Sequence, residues 1–204
     1  MEQVLEKLLE SVPKARVLRL FLQNPDAFFS LPEVRGMTKL RTPTARSEIS
    51  KLKKLGILGE KSVQREFPSR HQKNPRMKKV TVHFADASFP LFRELQGVIH
   101  KGSITSRATL LRRIKSLGRV KLAVASGVFM GNDLARTDLL LVGDNITKRK
   151  IDNFVKSIES DVGKTIKYTV MDTPEFKYRL DMYDRFLRDI LEYPHEKLID
   201  KFGL

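Results

Sequence analysis

TPTARSEISKLKKLGIL, residues 42–58, decides how the first half of this 204-residue chain folds. Thr42 is a helix N-cap and Pro43 suits the first helical position, where no amide partner is lost. From there Ala45, Ile49, Leu52 and Leu55 recur at helical spacing on an inward face. Thr44, Arg46, Ser47, Ser50, Lys51 and Lys54 fall on the opposite face. Gly56 stops the helix with a left-handed cap, and Ile57-Leu58 start a strand. Val63 continues that strand, and Val80, Val82 and Phe84 alternate in its return, so a hairpin is expected over Ile57–Phe84. Its middle, REFPSRHQKNPRMKK from Arg65 to Lys79, holds two prolines and six Lys/Arg. So polar a stretch is predicted to be an exposed wing or a partly disordered tip.

Upstream, Leu5, Leu8 and Leu9 recur at helical spacing, and Pro13 opens a second helix whose Val17, Leu18, Phe21 and Leu22 share a face. Asn24-Pro25-Asp26 ends it. Phe28, Phe29 and Leu31 then precede a brief helix beginning at Pro32. Downstream, residues 88–101 read as an amphipathic connector helix, with Gly102-Ser103 as the hinge. A regular alternation follows. Helices are predicted over Arg107–Leu117, from Thr147 to Val162, from Asp172-Thr173-Pro174-Glu175, and over Tyr183–Leu191. Strands are predicted over Val120–Ala125, Asp138–Val142, Ile166–Met171 and Lys197–Ile199. The fold class is therefore α+β, with a first domain over residues 1–87, a connector over 88–103 and a second domain over 104–204.

Charge concentrates in one place. The chain holds 39 Lys/Arg against 24 Asp/Glu, a net +15, and Arg35–Lys79 alone holds 14 Lys/Arg against 3 Glu. Such an excess points to a polyanionic partner. A helix with a Thr/Arg/Ser/Lys face can enter a major groove while a cationic ribbon meets phosphates beside it. The absence of cysteine excludes disulfides and thiolate metal sites and fits an intracellular, cytoplasmic setting. No apolar run approaches the ~18 residues of a membrane span. His71, His83, His100 and His195 are isolated and none has metal-ligand spacing. Phe176, Tyr178, Tyr183, Phe186 and Tyr193 read as helical-period core and rim rather than a base-stacking platform. Lys148-Arg149-Lys150 opens a helix, an unfavourable place for cations. It reads as solvated surface ahead of a secondary phosphate contact. No cofactor is called for.

The N-terminal half resembles winged helix-turn-helix transcription regulators over residues 12–85. The likeness rests on KARVLRLFLQNP, the turn before TPTARSEISKLKKLGIL, and the hairpin. It implies that Thr42, Thr44, Arg46, Ser47 and Lys51 face DNA bases. Arg41, Arg65, Arg70, Lys73, Arg76 and Lys78 would then reach phosphates or a minor groove.

The C-terminal half, over residues 104–201, resembles the small nucleotidyltransferase domain of the polymerase-beta type. The matching runs are LLRRIKSLGRVKLAVASG, DLLLVGD and IKYTVMDTPEFKYRL. Catalytic members of that family follow the first strand with a Gly-Ser turn and carry an Asp-x-Asp pair for two divalent metals. Here Gly127 is followed by Val128, and Arg136 stands two residues before Asp138. An arginine at a ligand position repels Mg²⁺, and one carboxylate cannot hold two hard cations. The domain is therefore expected to be a non-enzymatic relic. Gly127, Val128, Arg136 and Asp138 remain as a vestigial pocket for a phosphate or nucleotide ligand, and Asp138 pairs with Arg136 or caps a turn. The expected partner is double-stranded DNA, bound by a homodimer, with the second domain used for oligomerisation or ligand sensing. Two other readings stay open: an active nucleotidyltransferase using Asp133, Asp138 and Asp144, and a structured-RNA-binding protein.

Overall fold

The computed structural model describes residues 4–67, 76–102, 107–132 and 134–204. It is a mixed α and β structure with two small sheets. One compact unit spans Gln3–Ser103 with Ser160–Lys164, the other Ile104–Glu159 with Thr165–Leu204.

The first unit runs α1 (Val4–Leu8), α2 (Val12–Gln23), β1 (Phe29–Ser30), α3 (Leu31–Thr38), α4 (Thr42–Lys54), β2 (Leu58–Phe67), β3 (Arg76–Ala85) and α5 (Phe92–Gly102). Local chemistry sets the boundaries. Ser11 caps α2 by accepting from Lys14 N at 3.2 Å, and Pro13 sits in its first turn. Ser30 and Glu33 form a reciprocal capping box at α3. Leu18, Leu20 and Phe21 of α2, Val34 of α3, and Ala45, Ile49 and Leu52 of α4 make one buried core. Phe92 and Ile99 of α5 belong to the same core, and Gln96 Nε2 donates to Leu22 O at 3.0 Å. The connector helix thus packs as part of the first unit. Ser103, of the expected hinge, lies outside the described residues.

Three readings of this half need correction. The N-cap of α4 is Arg41, with Thr42 already helical. Leu55 is 61% exposed rather than inward. The reason is a Schellman closure: Gly56 N donates to Lys53 O at 2.9 Å and Ile57 N to Leu52 O at 3.1 Å. With Gly56 at φ +75° the chain reverses, and buried Ile57 and Leu58 supply the apolar contact instead. Third, the hairpin is longer than its apolar residues indicate. β2 and β3 pair over ten positions, from Leu58–Ala85 to Phe67–Arg76. Arg65, Lys78 and Lys79 are therefore in paired strands, not in a loop. A ribbon wet on its exposed surfaces pairs through its backbone whatever the polarity of its side chains. β1 joins β3 on the other side, giving the order β1-β3-β2.

The second unit runs α6 (Arg107–Lys115), β4 (Arg119–Ala125), a 3-10 turn (Gly127–Met130), β5 (Leu139–Asp144), α7 (Lys148–Val162, in this unit as far as Glu159), β6 (Tyr168–Met171), α8 (Thr173–Asp181), α9 (Arg185–Glu192) and β7 (Glu196–Asp200). The sheet order is β6-β5-β4-β7, with β5–β6 parallel and the other pairs antiparallel. Leu122, Val124, Leu140 and Val142 pack with Phe176 of α8 and Leu187 and Ile190 of α9. Leu139 and Leu141 point the other way and are equally buried, as are Ile114 of α6 and Phe154 and Ile158 of α7. A sheet buried on both faces explains the unbroken Leu run. Of the aromatic group, Phe176 is buried, whereas Tyr178, Tyr183 and Tyr193 are exposed.

Candidate nucleic-acid interface

The inward stripe of α4 is Ala45, Glu48, Ile49 and Leu52, all buried. Those positions fix the phase of the outward one. Pro43, Arg46, Ser47, Ser50, Lys51 and Lys54 recur at the same three- and four-residue steps, and all six are exposed. Thr42 and Thr44 are half-buried at its margin. Thirteen residues make a rod about 20 Å long, a length that lies along a major groove about 12 Å wide. The turn into α4 is tight: Lys39 closes α3 in the left-handed conformation at φ +55°, and Arg41 stands exposed at the cap.

The cations here fall into two groups. Arg41, Arg46 and Lys54 have no acidic partner among the described residues. Lys51 and Lys53 are tied down: Lys51 Nζ lies 2.6 Å from Glu48 Oε1, and Lys53 Nζ 2.5 Å from Glu60 Oε2. Glu48 is the site residue that sequence reasoning passed over. It occupies an inward helical position, buried, and its Oε2 has no hydrogen-bond partner. Only its place in the inward spacing could have revealed it.

On the hairpin, Arg65 does not reach outward. Its Nη1 lies 2.6 Å from Glu33 Oε1 on α3 and its Nη2 donates to Phe28 O at 3.0 Å. Burial pushes the Glu33 carboxyl up, but hydrogen bonds from Ser30 and Arg65 outweigh this and hold it below the usual carboxylate range. Arg65 is directly opposite Lys78 in the ladder, a like-charge pair that Glu33 offsets. Lys61 Nζ stands 3.5 Å over the Phe28 ring. Lys78 and Lys79 are exposed at the outer end of β3. Arg70 and Lys73 lie outside the described residues, as does His71. Of Arg76 only its place opposite Phe67 is described.

The vestigial pocket of the second unit does not assemble as expected. Asp138 is buried, and its carboxylate is consumed by the fold. Val128 N donates to Oδ1 at 2.8 Å and Lys167 N to Oδ2 at 2.7 Å. Its own backbone accepts from Ser126 N at 2.8 Å and donates to Lys167 O at 2.7 Å. Gly127 makes this possible: at φ +53°, a Cβ there would stand 2.0 Å from Asp138 Oδ1. Asp138 thus caps the turn and does not pair with Arg136, whose Nε lies 3.3 Å from Asp189 Oδ2 on α9. Of the four expected pocket residues, only Arg136 lines the nearby cleft. That cleft, of about 310 Å³, is walled also by Ser126, Asn132, Thr137, Arg185, Asp189 and Tyr193. The α9 residues were missed because they follow Arg136 by some fifty positions and carry no motif. Asp144 closes β5 at the end opposite Asp138, about 20 Å away at strand rise. Lys121 at 2.8 Å and the Thr173 hydroxyl at 2.7 Å pull its pKa down to about 2. The two cannot share one metal pair. Asp133 lies outside the described residues.

Among the described residues, no helix is long and apolar enough to cross a membrane. No family model, curated protein or solved structure matches the chain.

Proposed function

We propose that the first unit is a winged-helix module that binds double-stranded DNA through the exposed face of α4, and that the chain acts as a transcription regulator. The observation that carries this reading is the outward stripe of α4, headed by exposed Arg41 and Arg46, which have no acidic partner among the described residues, and bordered by a basic hairpin. A guanidinium without an internal acid is available for bidentate contact with guanine O6 and N7. Lys78 and Lys79 at the outer end of β3 suit phosphate contacts, which anchor without reading sequence. The order helix, turn, helix, hairpin in the first unit supports the same reading. For the second unit, the clasped Asp138 favours a scaffold or sensing role over phosphoryl-transfer chemistry.

The test is binding by the full chain to a duplex selected from a random pool. Arg46→Ala is expected to lose about 1–3 kcal/mol on the selected site and to relax its preference at one or two base pairs. Lys79→Ala is expected to weaken all duplexes alike and to lower the log–log salt slope by about 0.9. Equal effects of both on all sequences would remove α4 as the reading helix. A tenfold preference for duplex RNA at fixed salt would replace the transcription reading by an RNA-binding one.

A further inference from the structure

The second unit carries its own concentration of exposed positive charge, and it lies at one end of the sheet. Two turns meet there. The α6–β4 turn approaches the β5–α7 turn so closely that a Cβ on Gly118 would stand 3.3 Å from Asn145 O. Arg119, first residue of β4, pairs in register with Asp144, last residue of β5. Arg113 Nη1 donates to Ser157 Oγ at 3.2 Å and ties α6 to α7. Lys115 at the end of α6, Arg119, and Lys148, Arg149 and Lys150 at the start of α7 are thereby gathered, all exposed. Arg112 continues the patch one turn back along α6, three residues before Lys115.

None of these six cations has an acidic partner among the described residues. Asp144, opposite Arg119, is engaged by Lys121 and Thr173, and Asp152, one turn along α7 from Lys148, by the Tyr168 hydroxyl at 3.4 Å. Elsewhere in the same unit Arg107, Arg136, Arg179 and Arg188 each lie beside an acid. Lys156, Lys177, Arg185 and Lys201 of the same unit also lack an acidic partner among the described residues, so this face is marked by the grouping of its cations at one end of the sheet and not by lack of pairing alone. Three successive cations at the positive end of a helix dipole, on a turn that abuts the one leading into Arg119, favour an external anion. A phosphate there would meet these side chains at the positive end of α7, where the Lys150 amide already donates to Thr147 O at 3.0 Å.

We infer that this face is a second phosphate-contacting surface, and that the chain holds the backbone of duplex DNA through its second unit as well as through α4. The inference rests on the reading of the chain as a duplex binder. It adds a contact that carries affinity and salt dependence but no sequence preference.

The experiment uses the full chain and a 40-base-pair duplex, with affinity measured across a salt series. Three proteins are compared: the unaltered chain, the triple variant Lys148→Ala, Arg149→Ala, Lys150→Ala, and a charge-matched triple Lys156→Ala, Lys177→Ala, Lys201→Ala drawn from outside the patch. The patch variant is expected to lower the log–log salt slope by about 2 to 3, since each phosphate contact given up removes roughly 0.9. The charge-matched variant is expected to leave the slope where it was. Base preference, read on mismatched sites, should be the same in all three. An unchanged slope in the patch variant, or equal losses in both triples, overturns the inference while leaving Arg46-dependent binding intact. Failure of the unaltered chain to bind duplex DNA overturns the reading beneath it, and the inference with it. Far-UV circular dichroism of the variants guards against unfolding, and since all six residues are exposed no change is expected.

Discussion

The α4 face and the Asp138 turn treat charge in opposite ways. Arg46 stands exposed beside Ser47 and Ser50 with no acid to meet it among the described residues. Asp138 is buried, and each carboxylate oxygen accepts a backbone amide. A charge that the fold leaves unsatisfied is available to a ligand; one that the fold satisfies has become part of the scaffold. By that criterion the α4 face is open to a ligand, whereas the second unit has turned its one motif-matched acid into a clasp. Resemblance alone could not separate these outcomes, because both residues stand where a family pattern places function.

The comparison breaks most visibly at Asp138. Asp138→Ala would leave the Val128 and Lys167 amides without this acceptor at a part-buried site, at about 1–3 kcal/mol each, so a loss of about 2 kcal/mol or more is expected. Urea unfolding followed by hydrogen exchange should place that loss in the second unit. Asp138→Asn keeps one good acceptor and turns an amide donor toward the other N–H, so it should fall between. A carboxylate reserved for a metal would behave otherwise: removing it would leave the unfolding midpoint unchanged or raise it. Such a result would return Asp138 to the list of ligands.

Acid should also separate the two units. Burial pushes His83 on β3 below its ordinary value near 6.5, with Glu60 at 3.7 Å drawing it up and Lys53 opposing; its buried Nδ1 has no hydrogen-bond partner. A histidine with a depressed folded pKa binds fewer protons folded than unfolded. Its contribution is present above about pH 6.5 and lost as pH falls through the folded value. Glu6 follows at lower pH. Burial raises its carboxyl, but the Arg19 guanidinium at 2.5 Å and further hydrogen bonds bring it below 4.5. That contribution too is lost as pH falls. In the second unit Asp144, at about 2, holds its partners until far more acid conditions. Hydrogen exchange between pH 7.5 and 5.5 should therefore loosen the first unit before the second. His83→Gln should abolish the upper window. Equal loosening of both units would show that His83 does not set it.

Much of this arrangement is legible in the sequence, and the gaps share a cause. The phase of α4 follows from Ala45, Ile49 and Leu52, and the starts of α2 and α8 follow from Ser11-Val12-Pro13 and Asp172-Thr173-Pro174, because caps and periodicity are local. Leu55 fits the inward period, but the Schellman reversal moves the apolar contact on to Ile57 and leaves Leu55 exposed. The paired length of the wing is hidden in the sequence because strand signals are carried by apolar alternation, whereas a wet ribbon alternates charges as readily. Glu48, the Arg65–Glu33 pair and the Arg136–Asp189 pair depend on tertiary neighbours, the last two across 32 and 53 positions. Charge composition points to a polyanion, but pairing decides which cations are free to meet one, and pairing is not written locally.

Arg65 gives the smallest effect and the finest test of the same idea. It is a wing cation at the position where a phosphate contact is expected from resemblance, yet Glu33 holds it at 2.6 Å. Both side chains are about a third or more exposed, so Arg65→Ala should cost less than about 1 kcal/mol of stability. It should leave the salt slope and base preference of DNA binding unchanged, in contrast to Arg46→Ala. Glu33→Gln sharpens the point. Gln preserves the capping box with Ser30, so α3 stays capped, but it releases the guanidinium. Binding to all duplexes should then strengthen and the salt slope rise by about 0.9, one added phosphate contact. If Arg65→Ala itself lowers the slope, Arg65 exchanges Glu33 for phosphate on binding. Internal pairing would then be a resting position rather than a commitment, and the division between free and satisfied charges would have to be drawn in the complex.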